Sequence, residues 1–548
     1  VTELGTGKDR VFSVGRQWVP FLWLYALLCC LNLTTSSLRL GIADAGTMFD
    51  VTKSLSTELS LDTDPCVEDT KGNACVRGVD GKHYSGYGIL PSALAVPWYL
   101  AGATVGKILH KEPDLVAGVA VSLMNCFLAP LVPCLLALFL ARLGYTLSVG
   151  LAVGVTLGVF TPWWYFSSKG FYSEPHFALG LMVAVYCLSR PEIRGGAWFA
   201  GLALGLAAGC RVFGLILAPI LLWYGWAVLQ RTGRQREFLP RLLQAGLALG
   251  VCLAGIGALN YIRFGSPLKT GYHLAFPTVG VLLGTPLHIG LPGVLWDGEV
   301  GLLWFAPTVF LLPLTVRRFF RESSAESVLC LFVVLANLLF FAKYIAWHGG
   351  WSCGPRLLAP TLPFLVMPLA ALYRLLLSEE GAFQKGNRFA HLFVAMVLFV
   401  AFVVQMLTIL VPVNRYYYLK YHAIIAKYPS PYRGVLLWHH VQALPELITA
   451  TLSNRSSDLQ RPTATSGIER INAEGDVRQN TELMQSPMAY LRALPNSINL
   501  LQLDIGWLKL GQFGVPAILG YLAIGILGLG TLVFAFLIGR TVLTSTDT

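Results

Sequence analysis

The sequence predicts an all-α polytopic membrane protein of about 12 transmembrane helices, with a first external loop carrying two helices that lie along the membrane surface. Three observations predict it. Of 548 residues, 55% are hydrophobic and only 13% are charged, against about 25% charged in an ordinary soluble domain. Mean hydropathy is +0.62, and apolar runs of roughly 20 residues recur, the length that crosses the hydrocarbon layer as a helix. The basic residues cluster in short segments between those runs, as the positive-inside rule expects. A transmembrane β-barrel would show alternating segments of ~10 residues, and these are not seen.

The net charge of +11 does not point to nucleic acid. No nucleic-acid motif accompanies it, and much of the Lys and Arg lies in loops between apolar runs.

In chain order, Lys8, Arg10 and Arg16 precede the first run at 19–38 and place the N-terminus in the cytoplasm. That run reads as an uncleaved first span rather than a signal peptide. Residues 39–114 are then external. Within them 47–59 reads as a short amphipathic helix, 62–88 as loop, and 89–108 as an interfacial helix. Later spans are expected near 115–141, 147–166, 175–189, 196–210, 212–229, 242–262, 301–316, 327–345, 357–376, 389–411 and 514–538. This topology gives the cytoplasmic side Arg142, Arg190, Arg194, Arg231, Arg234, Arg236, Arg241, Arg317, Arg318, Arg321, Lys385, Arg388 and Arg540. A flipped one would put those clusters outside. The site-bearing loops then face the external side of the plasma (inner) membrane. Residues 19–411 form the transmembrane module, 412–512 a polar external insertion able to cap a site, and 513–548 the last span and a cytoplasmic tail.

Most of the 11 cysteines sit in or beside apolar runs as packing residues. Cys66 and Cys75 flank a polar turn in the external loop, and a disulfide is expected there. Asn454-Arg455-Ser456 has the form of a glycosylation sequon.

The candidate site residues lie at predicted external boundaries. Asp44 follows the first span, with Asp50 next along; each reads as a general base or as a solvated carboxylate near a helix start. Glu174-Pro175-His176 opens a span. The acid and proline suit a helix start, while Glu174 and His176, together with Asp44, could supply carboxylate and imidazole ligands to a divalent cation. Arg211 interrupts two apolar stretches, where a boundary arginine is either paired or snorkelling. In 260–273, helix breakers precede Lys269, Tyr272 and His273, which offer phosphate or hydroxyl contacts. The densest signal is Trp347-His348-Gly349-Gly350-Trp351-Ser352-Cys353-Gly354-Pro355-Arg356. Paired glycines permit tight turns, His348 and Arg356 suit a phosphate, and Trp347 and Trp351 can stack on a sugar.

Taken in order, Asp44 after span 1, His83-Tyr84-Ser85-Gly86-Tyr87-Gly88-Ile89-Leu90-Pro91, the 201–211 stretch ending in Arg211, Asn260-Tyr261-Ile262-Arg263-Phe264-Gly265-Ser266-Pro267 and the 347–356 segment resemble the GT-C superfamily of integral-membrane glycosyltransferases. These include the protein mannosyltransferases and the aminoarabinose transferase type. The resemblance covers roughly 15–411. It implies a polyprenyl-phosphate-sugar donor, a glycan, lipid or protein acceptor, an external active site and Asp44 as the catalytic base or acceptor-positioning residue; attack by the acceptor hydroxyl, with Asp44 as base, would then invert the anomeric carbon. Lys269, Arg356, His348 and Arg211 would then hold the donor phosphate, and Trp347, Trp351, Tyr87, Tyr272 and His273 the sugar or acceptor. Asp44 departs from the family's acidic pair, being followed by Ala45. A lipid-linked glycan flippase, or a non-catalytic subunit with this fold, are the alternative readings. The first would place charges in mid-span, whereas here they sit at boundaries.

Overall fold

The structure is a computed structural model. It describes residues 18–41, 43–63, 75–275, 278–377, 387–426, 435–453, 491–492 and 497–544. The sequon and Lys385 lie outside these. Helix dominates, and β1 (Cys75–Arg77) paired antiparallel with β2 (His83–Ser85) makes a small hairpin where only loop was expected.

The first helix, α1 (Val19–Thr34), carries Pro20 in its first turn, where the missing N–H leaves nothing unpaired. It packs along the last helix, Ala517–Thr544. The segment after α1 then carries α2 (Ala43–Thr57) and α3 (Leu90–Ile108). The second of these lies where it was expected. The first begins four residues before Thr47, which puts Asp44 inside its first turn rather than ahead of it. The two helices are stitched by Ser92 Oγ donating to the Met48 carbonyl at 2.8 Å and Thr52 Oγ1 donating to the Ser92 carbonyl at 3.2 Å.

Next come α4 (Pro113–Leu128), α5 (Leu131–Arg142), α6 (Leu147–Val159), α7 (Trp163–Ser168), α8 (Glu174–Leu188), α9 (Gly196–Cys210), α10 (Ala218–Arg231) and α11 (Phe238–Phe264). The α8, α9 and α11 helices pack side by side. Small residues set the spacing: a Cβ on Gly201 would stand 2.1 Å from the Ala245 carbonyl oxygen.

Among the described residues, six helices are long and apolar enough to cross a membrane: Pro113–Arg142, Val212–Arg231, Gln235–Phe264, Ser324–Lys343, Phe389–Leu410 and Ala517–Val542. The pair Arg356–Val366 and Leu369–Leu376, bent by 44°, makes a seventh if it is one span. The chain is therefore an integral α-helical membrane protein. The expected spans at 19–38, 147–166, 175–189 and 196–210 appear as shorter apolar helices, the second of them broken before Pro162 and continued as α7. The span expected at 301–316 is not one helix. Pro307 and Pro313 divide it into Leu302–Phe305, a 3-10 stretch Pro307–Leu314 and a helix from Val316. A helix at Leu287–Trp296 was not foreseen.

Two helices of the polar insertion, Val413–Ala426 and Leu436–Leu452, pack back on the transmembrane body. Tyr417 donates to the Ser352 carbonyl at 3.1 Å, and Tyr416 donates to Glu299 at 2.8 Å. The C-terminal segment is fastened at the same end. Asp504 meets Arg39 at 2.8 Å and Lys169 at 3.7 Å, with Lys509 buried nearby, while Trp507 donates to the Leu33 carbonyl at 2.6 Å.

His439 and His440 are buried in Leu436–Leu452. Burial, and then Arg415, push His439 down to about 3, and burial holds His440 well below the ordinary imidazole range. Both are neutral when folded, whereas an unfolded histidine takes its proton near about 6.5. The unfolded chain therefore binds more protons below that value, and stability falls as pH falls. At pH 5 each histidine is expected to cost up to about 2 kcal/mol. Unfolding midpoints in detergent should drop between pH 7 and 5, and His439→Leu/His440→Leu should flatten the slope.

Candidate functional site

The candidate site forms where four distant segments meet, and backbone geometry explains why they can. Gly41 and Gly170 both have positive φ, +100° and +139°. The Phe171 N–H donates to the Leu40 carbonyl at 3.0 Å, and a Cβ on Gly170 would stand 2.3 Å from that oxygen. This crossing sets the first turn of α2 beside the first turn of α8. The α9 helix stops at Arg211, whose backbone is extended (φ −149°, ψ 107°) before a 3-10 turn Val212–Leu217. The segment before Arg356 turns through Gly349, Gly350 and Gly354, all in the left-handed region.

These turns deliver a connected ionic chain. Arg356 Nη2 meets Asp44 Oδ2 at 2.8 Å, and its Nε meets Glu174 Oε1 at 2.5 Å. Arg211 donates to the same Glu174 oxygen, and its Nε donates to Ser173 Oγ at 3.2 Å. Tyr87 donates its hydroxyl proton to Asp44 Oδ1 at 2.9 Å. Arg356 also lies over the Tyr172 ring, 5.3 Å from its centroid.

Exposure falls along this chain, from 24% for the Asp44 side chain to 6% for Arg356 and 0% for Glu174. Two guanidiniums balance two carboxylates. That balance is what allows charges to remain in so dry a place. Burial pushes the Asp44 carboxyl up, but Arg356, Tyr87 and Arg211 together hold it below the usual carboxylate range. It is ionised at neutral pH and well into acid.

The structure thus brings together Asp44, Tyr87, Glu174, Arg211 and Arg356, with Tyr272 edge-on to Tyr87 at 6.3 Å. Other predicted residues stand apart from this network. Lys269 is exposed on the turn after α11. His348 is exposed, its Nδ1 accepting from the Gly350 N–H at 3.2 Å. The Trp347 ring covers Gly293. Trp351 stacks on Tyr417, with centroids 5.5 Å apart and planes 11° apart, so it meets the insertion. His273 belongs to the short helix Gly271–Ala275, but its side chain lies outside what is described.

The Glu174/His176 pair does not fit a divalent cation. Two guanidiniums already occupy Glu174 Oε1 and would repel one. His176 Nδ1 points at the Tyr172 carbonyl, 3.0 Å away. Among the described residues no group of three or more His, Cys, Asp or Glu converges. Glu174 is instead the counter-ion of two arginines. Cys75 is in a disulfide; Cys66, its expected partner, lies outside the described residues.

Sequence reasoning passed over Arg263. It sits in the last turn of α11, 5% exposed. It donates to Asn260 Oδ1 at 2.8 Å and to the Ser85 carbonyl at 3.3 Å, and no carboxylate pairs with it among the described residues. A groove of about 250 Å³ runs between α9 and α11, lined by Leu206, Cys252, Ile256 and Leu259 and ending at Arg263, Tyr87 and Tyr272. Tyr87 therefore joins the groove to Asp44. The signal was present in Asn260 and Arg263, one helical turn apart before Gly265.

Neither a scan against protein-family models nor a search of curated proteins finds a match. Among solved structures, the chain is similar to ArnT from Cupriavidus metallidurans bound to undecaprenyl phosphate. Identity is 12% and the TM-score 0.46, covering 94% of this chain and 77% of that one. It is also similar to the archaeal oligosaccharyltransferase AglB from Archaeoglobus fulgidus in complex with an inhibitory peptide and a dolichol-phosphate, at 12% identity and a TM-score of 0.43, covering 76% and 61%.

If Glu174 is the shared counter-ion, its removal leaves two arginines facing each other in a dry site. Glu174→Ala is expected to cost about 3–5 kcal/mol, read as a lower unfolding midpoint in detergent. Adding Arg211→Met should recover part of the loss.

Proposed function

We propose that the chain is a glycosyltransferase that moves a sugar from a polyprenyl-phosphate donor to a hydroxyl acceptor at the external face of the membrane. The observation that carries this reading is the joining of an ionised Asp44, through Tyr87, to an apolar groove whose mouth holds a buried arginine with no carboxylate partner among the described residues. An isoprenoid chain suits the groove, and a phosphate suits Arg263. The adjoining turn carries Lys269, which adds a second cation once the head group is in place.

The reaction then runs as one displacement. The acceptor hydroxyl attacks the anomeric carbon from the face opposite the phosphate. The bond from carbon to acceptor oxygen forms as the bond to phosphate oxygen breaks, and configuration inverts. The acceptor's proton passes to Asp44, and the leaving polyprenyl phosphate keeps the electron pair. Charge builds on its oxygens, where Arg263, Lys269 and, across the site, Arg211 and Arg356 stabilise it. The depressed pKa makes Asp44 a weak base. That suits a transition state in which positive charge on the sugar runs ahead of proton loss. Phosphate is already a fair leaving group, so no strong acid is needed. We assign the acceptor side to the 347–356 turn, where Trp351 stacks on Tyr417.

Asp44→Asn is expected to lower transfer of labelled sugar from polyprenyl-phosphate donors by about 10²–10⁴-fold, while polyprenyl phosphate binding, read by native mass spectrometry, stays within about twofold. Arg263→Gln should do the reverse first, weakening that binding about tenfold or more. Near-normal transfer in Asp44→Asn would remove Asp44 from the chemistry. Binding unaffected by Arg263→Gln would remove the groove from the donor.

A further inference from the structure

A second groove lies at the opposite end of the same helices. The 27 residues of α11 span about 40 Å, with Arg263 at one end and Arg241 at the other. Between α8, α9, α10 and the Arg241 end of α11 is a cavity of about 350 Å³, lined by Leu188, Ala200, Leu204, Leu222, Leu229 and Leu249 among others. Arg241 is its one charged lining residue.

The mouth of this groove is a built structure. Arg234 Nη1 donates to the Pro191 carbonyl at 2.7 Å, and Arg241 donates to the same oxygen. The 190–194 turn is thereby clamped to the start of α11. Arg190 pairs here with Glu192, and Arg234 and Arg241 with Glu237, while Arg194 and Arg236 lie within two positions of these carboxylates in the chain. Glu192 is further shared with Arg142 at 3.2 Å. Arg194 and Arg236 are exposed and have no ion pair or hydrogen bond among the described residues. Orientation of a membrane protein needs only the positive charge. It does not need an apolar slot opening beneath it.

We infer that this groove is a binding site for an anionic phospholipid of the leaflet opposite the Asp44 site, with one acyl chain between α10 and α11 and the phosphate head group held by Arg194, Arg236 and Arg241. Basic pockets between transmembrane helices take such head groups. A zwitterionic head group would bring its own cation into an already positive mouth. The site is independent of the donor groove and of the proposed transfer.

The test is native mass spectrometry of the full chain, delipidated in detergent and titrated with phosphatidylglycerol or with phosphatidylcholine of the same acyl chains. Phosphatidylglycerol is expected to bind several-fold more tightly. Arg194→Gln/Arg236→Gln should weaken it by about 5-fold for each arginine removed and leave phosphatidylcholine unchanged. Gly246 lines the groove, and a Cβ there meets nothing within 4 Å, so Gly246→Phe introduces a side chain at the slot from an unobstructed Cβ and should weaken both lipids. Equal binding of the two lipids, or unchanged binding in both variants, overturns the proposal. Loss of phosphatidylglycerol in Arg263→Gln, with the double arginine variant unaffected, would also overturn it by assigning that lipid to the other groove.

Discussion

The candidate site depends on one constraint: a guanidinium and its carboxylates must leave water together or not at all. Arg356 is nearly buried between Asp44 and Glu174, and Arg211 closes the chain from the other side. A single buried ion would cost several kcal/mol. Two of each sign, in hydrogen-bonding contact, offset most of that cost. The consequence is architectural. The chain links the first turns of α2 and α8, the break after α9 and the turn following the paired glycines. Disturbing any of these four segments strands a charge contributed by another.

The same balance shapes the chemistry available. Asp44, the most exposed member, is held ionised by Arg356, Tyr87 and Arg211. A more basic carboxylate would take a proton from solvent; this one stays charged and can orient a hydroxyl. Arg356 and Arg211 are already paired with carboxylates, whereas Arg263 has no carboxylate partner among the described residues, which is why the proposed donor site is built around Arg263, with Lys269 beside it and the other two arginines across from it. A phosphate arriving at Arg263 would meet a positive charge whose hydrogen-bond partners are an amide and two backbone carbonyls.

Much of the architecture was legible in the sequence because apolar run length is a direct consequence of hydrocarbon thickness. The departures have identifiable causes. Pro162, Pro307 and Pro313 break runs that composition alone reads as continuous. Asp44 was legible as an acid placed just after the first run, and Arg356 as part of a dense polar cluster. Their partnership with each other and with Glu174 was not, because the contacts join distant parts of the chain, Glu174 and Arg356 being 182 positions apart, and nothing local encodes them. Glu174 carried a helix-start signal that hid its role as a counter-ion. Lys269 drew attention as an isolated cation in a glycine-rich turn, while Arg263 was masked by its position in an apolar helix. Burial, which sequence does not report, reversed their order.

The most direct test of the account is a structure of the full chain in nanodiscs with a polyprenyl phosphate bound. The account predicts phosphate density at the mouth of the α9/α11 groove, within hydrogen-bonding distance of Arg263, with the isoprenoid running along Leu206, Ile256 and Leu259 and the phosphate oxygen that would carry the sugar facing Asp44. Phosphate density elsewhere, with Arg263 turned away and the groove filled by bulk lipid, would contradict it.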